Sequence, residues 1–365
     1  MLEILDLHPE AFGLDISDLS LKFAKLKKIK GGLNLVSYNE SEIKPGIIKE
    51  GEVIDEDALA ETIKSGLSKI KGEKLKTRHV VASLPEEKAF LRIIQMPKME
   101  KEELKNAIRF EAENHIPLPI NDVYLDFKIV QPFVDHLDHL DILIAALPKK
   151  TVDPYIRVFK KAKLQPKTLE IESLAISRAM VKNGVSPFPL LLIDLGATRT
   201  SFIIFSGYSL RFTSSIPVSS QKFTESVAAN LKVDLVEAER LQEKYGLSSR
   251  KDPEGFKVFE ALIPALTDLI EQIKSHIYYY QTHSLHEHLG SEEKVASKVL
   301  LSGGGANLKG LPEFLSGELK TSVELSNPWV NILPARLKQI PVLPFQESLG
   351  YTTALGLALR GVNEK

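Results

Sequence analysis

The feature that most constrains this chain is a strand that runs into an aspartate, turns through small and hydroxyl residues and resumes as a second strand: LLLIDLGATRTSFIIFSG, residues 190–207. An aspartate at such a turn can simply cap its amides, or it can stand at the mouth of a hairpin that wraps a phosphate, and the segment alone does not decide. The same order opens the chain, in FGLDISDLSLKF, with Asp15 and Asp194 lying 179 positions apart. Two copies of one device in 365 residues call for two lobes of similar build facing each other. A third junction, KVLLSGGGANLKGLPEFL, breaks an apolar strand into Gly303, Gly304 and Gly305 before a helix. A glycine triplet is often only a loop. Here it would let a ligand lie against the backbone beside the free amides of a helix start.

Between the two Asp turns the pattern is mixed α/β. LNLVSYNESEI reads as a strand, DEDALAETIKSGLSKI as a helix capped by Asp55 or Asp57, and RHVVASLP as a short central strand. From Phe90 the character changes: FLRIIQMP (strand), MEKEELKNAIRFEAENHI (helix), DVYLDFKIV and HLDILIAALP (strands) form a small module. Its helix spaces Leu104, Ile108, Ala112 and Ile116 four apart on one buried face. A helix, the strand PKTLEIE and a helix ending at Gly184 follow, with VSPFP (185–189) expected as a hinge into the second lobe.

Composition limits the partners. Lys and Arg number 47 against 48 Asp and Glu, a net charge of −1, which argues against bulk electrostatic binding to nucleic acid. The absence of cysteine excludes disulfides and thiolate chemistry and suits a reducing cytoplasm. The start MLEILDLHPEAFGLD has no cationic, apolar leader, and no apolar run nears the ~20 residues of a membrane span.

The order of an Asp-led turn, a DLGATRT turn and an LSGGGANLKGL strand-to-helix junction resembles the actin, FtsA and sugar-kinase superfamily. RFEAENHIPLPINDVYLDF, IPVSSQKFTESVAANLKVDLVEAERLQEKYGL, SNPWVNI and SLGYTTALGLALRG extend the resemblance over nearly the whole chain and, in this spacing, make it similar to the PilM family, actin-like cytoplasmic proteins of type IV pilus assembly. The resemblance implies an actin-like two-lobe α/β fold of duplicated ribonuclease H-like domains with an inserted αβ module. The first lobe (1A) would comprise 1–86, 149–188 and 346–365, the module (1C) 87–148, and the second lobe (2A and 2B) 189–345, with 2B at about 216–296.

It also implies ATP with Mg2+ between the lobes. Asp15 and Asp194 would hold magnesium through bound waters, as suits a cation that keeps its hydration shell. Lys22 would face phosphate with the Ser20 hydroxyl nearby, while Gly196, Thr198 and Thr200 would approach phosphate from the second loop, with Arg199 as an added cation or a solvated surface arginine. Gly303, Gly304, Gly305 and Ala306 would lie beneath adenosine, Glu239 would reach the ribose or adenine unless it is an ordinary exposed helix residue, and Glu172 would sit in the segment passing beneath the nucleotide. Two positions depart from the family pattern. Ser17 and Asp18 replace a Gly-Ser pair, placing a carboxylate where phosphate is expected, and Gln242 replaces an adenine-side lysine. Turnover is therefore expected to be slow at most.

Other chemistry is thin. His136 and His139, and His283, His286 and His288, lack a fixed carboxylate partner and read as polar surface histidines rather than metal ligands, and Tyr278, Tyr279 and Tyr280 read as packing at a lobe interface. Three classes fit the fold: an assembly scaffold, a sugar or acetate kinase, and an FtsA-like division protein. A kinase needs a positioned base and substrate pocket, for which no motif is present; an FtsA-like protein is expected to carry a carboxy-terminal amphipathic helix, where this sequence has LALRGVNEK. The scaffold reading implies a PilN-like inner-membrane partner, whose amino-terminal INLLP-type peptide would enter an apolar groove of the module lined by Phe90, Ile93, Ile108, Ile116 and Leu118, with Met96 and Leu125. It also admits pilus motor components as further partners and places the protein at the inner face of the inner membrane.

Overall fold

The computed structural model describes residues 10–131, 138–283, 298–333 and 341–363. β1 (Phe12–Ile16) is buried at all five positions, and β2 (Ser20–Ile29) and β3 (Gly32–Glu42) follow as an antiparallel meander. A small hairpin, β4 (Ile48–Lys49) and β5 (Glu52–Val53), precedes α1 (Glu56–Ser68), where the Asp55 carboxylate caps the helix by accepting from the Ala58 amide at 2.9 Å. β6 (Lys71–Gly72) edges β3, and β7 (His79–Leu84) returns parallel to β1. The chain then leaves this sheet for β8 (Phe90–Pro97), α2 (Lys101–His115), β9 (Val123–Ile129) and β10 (His139–Pro148), an antiparallel sheet of order β8-β10-β9. It comes back through α3 (Lys149–Lys161), β11 (Gln165–Ile171) and α4 (Glu172–Met180).

The second lobe repeats the plan. β12 (Ser186–Leu195), β13 (Thr200–Gly207) and β14 (Ser209–Ile216) form a second meander. α5 (Ser220–Leu231), α6 (Leu235–Tyr245) and α7 (Pro253–His283) follow, then β15 (Lys298–Ser302) parallel to β12, α8 (Leu311–Leu319) and β16 (Val323–Leu325). The sheet orders β3-β2-β1-β7-β11 and β14-β13-β12-β15-β16 share the same directions at every pairing. The duplication suggested by two Asp turns is thus a duplication of whole sheets. Residues 185–189 do not form a hinge loop: Ser186 already pairs with Gly207 and the strand runs on through a bulge, so this junction is sheet.

Three separate cores hold the units. Phe12, Leu14, Phe23, Leu59, Tyr155 and Phe159 pack in the first lobe, Ile193, Phe202, Phe223, Leu266 and Ile273 in the second, and Ile94, Leu104, Ile108, Ala112 and Ile142 in the module. Each fully buried side chain of this size contributes roughly 1.5–3 kcal/mol. The last helices, α9 (Phe345–Gly350) and α10 (Thr352–Asn363), cross back from the second lobe to the first. At Gly356 α10 meets α4 backbone to backbone; a Cβ there would lie 1.9 Å from the Ala175 carbonyl oxygen, so only glycine fits.

Candidate functional site

The lobes enclose a cleft of about 680 Å³, lined from one side by Asp15, the Ser17–Ser20 turn and Lys22, and from the other by Asp194, the Gly196–Arg199 turn, Gly303 and Gly304. Its floor is built twice in one way. Asp15, at the end of β1, accepts a hydrogen bond from the Ser83 hydroxyl of parallel β7 at 3.1 Å. Asp194, at the end of β12, accepts from Ser302 of parallel β15 at 2.7 Å. The sequence reading missed both serines, although each closes an apolar strand (VVAS, VLLS) beside an Asp strand.

Charge is crowded here. Burial lifts Asp15 from 3.8 to about 6, with Lys22 and the Ser83 hydrogen bond pulling the other way. Burial also raises Asp194, Glu86 and Glu87. Glu172, at the start of α4, is pushed well above the carboxylate range by burial and then by Asp15, Glu87, Glu86 and Asp194. Such a floor binds a cation or a proton at little cost to itself. Asp15 and Asp194, one from each lobe, face the cleft as carboxylates of the kind that hold a hydrated divalent cation through its waters. The donor set fits magnesium with a polyphosphate.

Two of the three cations that line the cleft, Lys22 and Arg199, are already paired, and Lys71 lies over the Tyr38 ring. Lys22 donates to the Ser20 hydroxyl at 2.8 Å and meets Glu40 at 3.2 Å. Arg199 reaches across the cleft to Glu87 at 3.0 Å, tying the second lobe to the segment where the first lobe passes into the module. Asp18 lines the cleft, and its carboxylate accepts the Gly51 amide at 3.0 Å, which pins the first turn to the β4–β5 hairpin. Ser17 closes that turn through the Ser20 hydroxyl at 3.0 Å. Thr198 and Gly196 border the cleft, whereas the Thr200 hydroxyl is spent on the Val218 carbonyl at 2.7 Å.

Of the glycine triplet, Gly303 and Gly304 line the cleft; Gly305 and Ala306 are buried behind them. Gly303 has φ +85°, and a Cβ on it would stand 2.4 Å from the Leu195 carbonyl oxygen. Glu239 is exposed on α6 and does not border the cleft, while Asn307, Ser220, Gln346 and Thr353, none of them anticipated, do. His136, His286 and His288 lie outside the described residues. His139 is hydrogen-bonded to Gln95 and Asp138. Of the three tyrosines expected at a lobe interface only Tyr280 is buried; Tyr278 and Tyr279 are exposed, the latter against Phe212 at 5.4 Å.

The expected peptide groove within the module is not one surface. Ile108 and Ile116 belong to the module core, as does Met96, because α2 turns its four-residue repeat onto the sheet. Phe90 and Ile93 are half-buried and Leu118 is exposed. An apolar groove of about 360 Å³ runs between the module and the first lobe. Tyr124, Leu125, Ala145 and Leu147 line one side, and Val152, Ile156, Leu169, Ile171 and Leu174 the other. β9 and β11, which flank it, are both edge strands of their sheets. At its end Glu170, buried, is gripped by Arg178 and Arg360.

Two lobes of matching strand order, each bringing to a shared cleft an aspartate braced by a buried serine, define an actin-like fold. The MreB5 of Spiroplasma citri, solved bound to AMPPNP, superposes with a TM-score of 0.53 at 12% identity over 96% of this chain and 95% of that one. The family model for type IV pilus assembly protein PilM matches residues 13–362, and the chain belongs to that family. A solved PilM-PilN type IV pilus biogenesis complex superposes with a TM-score of 0.78 at 28% identity, covering 98% of this chain and 100% of that chain. Cell division protein FtsA of Streptococcus pneumoniae is 22% identical over 354 residues, 87% of this chain and 75% of that protein.

Proposed function

We propose that this protein is a cytoplasmic actin-like scaffold of type IV pilus assembly that binds ATP with Mg2+ between its lobes and holds the amino-terminal peptide of a PilN-like membrane protein beside its inserted module. The observation that carries the nucleotide half is the doubled Asp–Ser floor, with buried carboxylates from both lobes converging on one cleft. Magnesium bound there would supply the positive charge the acids lack and bridge them to the nucleotide's phosphates. Asp15 and Asp194 would orient the hydrated ion, and Ser17, Ser20 and the Gly196–Thr198 backbone would face phosphate. Gly303 and Gly304 would form the base of the nucleoside pocket. The kinship with the PilM-PilN complex supports the partner, as does the groove between two edge strands, where an extended peptide can add main-chain hydrogen bonds to either edge while its aliphatic side chains enter the groove. Among the described residues no helix is long and apolar enough to cross a membrane; the PilN-like partner would tether the protein to one. The lobes would follow 1–86 with 149–188 and 346–365, and 189–345, with the module at 87–148.

Titration with fluorescent ATP, with and without magnesium, tests the cleft: saturable, magnesium-dependent binding is expected, weakened more by Asp194→Ala than by Arg199→Ala. A second reading, a scaffold that has lost nucleotide, is favoured by the ion pairs that occupy Lys22 and Arg199. Absence of saturable binding at millimolar nucleotide would establish it and leave the peptide reading intact.

A further inference from the structure

The peptide groove continues onto a basic surface. Ile156, which lines the groove, also lines a shallow depression formed with Arg78, Lys160, Lys163, Leu164 and Pro166, and Arg78 is shared with the next depression, where Lys76 lies. The cations are concentrated in sequence: residues 69–79 and 149–167 hold twelve Lys and Arg against two acids, in a chain whose net charge is −1. On α3, Arg157 and Lys161 are matched by Glu56 and Asp57 of α1. Lys160 and Lys163, with Arg78 and Lys76 beside them, are exposed and have no ion-pair partner among the described residues. Ile156, 40% exposed, stands at the border between the apolar groove and this unneutralised face.

We infer that this face rests on an anionic lipid surface while the neighbouring groove holds the partner peptide. The inference builds on the peptide reading above, since a short peptide next to a membrane anchor would hold the groove, and with it Lys160, Lys163 and Arg78, close to the headgroups. Lysine and arginine within a Debye length of anionic headgroups each raise membrane partitioning about fivefold, so the tether and the patch reinforce one another through effective concentration. Basic side chains with free stems and an aliphatic neighbour suit phosphate headgroups above an acyl boundary.

The test is flotation of the full chain with phosphatidylcholine vesicles and with vesicles of phosphatidylcholine and phosphatidylglycerol in equal parts, each with and without an INLLP-type peptide on a lipid anchor. Wild type is expected to float with the anionic vesicles even without peptide, to be released by high salt, and to bind most tightly when both are present. The double variant Lys160→Gln, Lys163→Asn should lose anionic binding by about tenfold or more, with an unchanged melting temperature and unchanged affinity for the free peptide by fluorescence polarisation. Equal flotation of variant and wild type would overturn the inference. So would loss of peptide affinity in the variant without any difference between neutral and anionic vesicles, which would assign these lysines to an acidic protein segment. If the free peptide does not bind while anionic vesicles still distinguish wild type from variant, the groove reading fails and the lipid surface stands.

Discussion

Replacing Asp15 with asparagine should stabilise the ligand-free protein at neutral pH while abolishing its response to nucleotide. Asp15 is buried, and its folded pKa rises from 3.8 to about 6. The folded chain therefore holds that proton more tightly than the unfolded chain does. The stability contributed by protonated Asp15 is fully present below pH ~4 and is lost as pH climbs through about 6, a loss of about 3 kcal/mol. The upward shifts of Asp194, Glu172, Glu86 and Glu87 act in the same direction. Asparagine keeps the oxygen that accepts from Ser83 and carries no charge, so Asp15→Asn should recover most of that amount at pH 7.5 and about half of it at pH 5. In a cooperative unit of this size the gain is about 4 °C in Tm. Urea and thermal melts of both proteins at pH 5 and 7.5 measure it. With magnesium and ATP at a hundredfold excess over Kd, wild type should gain about 2.7 kcal/mol and the variant almost nothing, closing the gap. An Asp15→Asn protein no more stable than wild type at pH 7.5, or a gap of the same size at pH 5, would refute the account of a charge-crowded floor.

Ile108→Glu would place a carboxylate in the sealed core of the module and should cost more than about 4 kcal/mol, seen as loss of the cooperative melt. Tyr124→Asp, at a 44% exposed position on the groove wall, should leave Tm within a degree or two and lower peptide affinity at least about tenfold by fluorescence polarisation. Gly303→Ala meets both a left-handed backbone and the Leu195 carbonyl; urea melts should show a loss of about 2 kcal/mol or more, and nucleotide titration weaker binding. Arg199→Ala should take from Glu87 its ion-pair partner across the cleft, and hydrogen exchange along the Gly196–Thr200 segment should speed up.

The lobes, their duplication and the positions of the two aspartates were legible because strand-turn-strand patterns are local: the residues that define them are neighbours in sequence. Ser83 and Ser302 were not read. Their role depends on which strand lies parallel beside β1 and β12, and that pairing spans 68 and 108 positions. Glu239 was assigned by motif and sits on an outer helix face, since the orientation of α6 follows from how it packs on its neighbours and not from its own spacing. The groove proposed for the peptide shows the limit most plainly. A surplus of apolar residues in the module was visible, but the i, i+4 residues of α2 were consumed by its own sheet. The groove is instead assembled from Tyr124 and Leu125 of one edge strand with Leu169 and Ile171 of another, a meeting no local periodicity records.

The split of the cleft floor into two equal halves has a mechanical meaning. Each lobe owns one aspartate, one serine and one turn, so neither lobe alone encloses a ligand, and spreading the lobes dismantles the cleft in the same motion. Were the halves to separate, release of whatever lay between them would be part of the same event, and residence time in the cleft would then report on the closed shape.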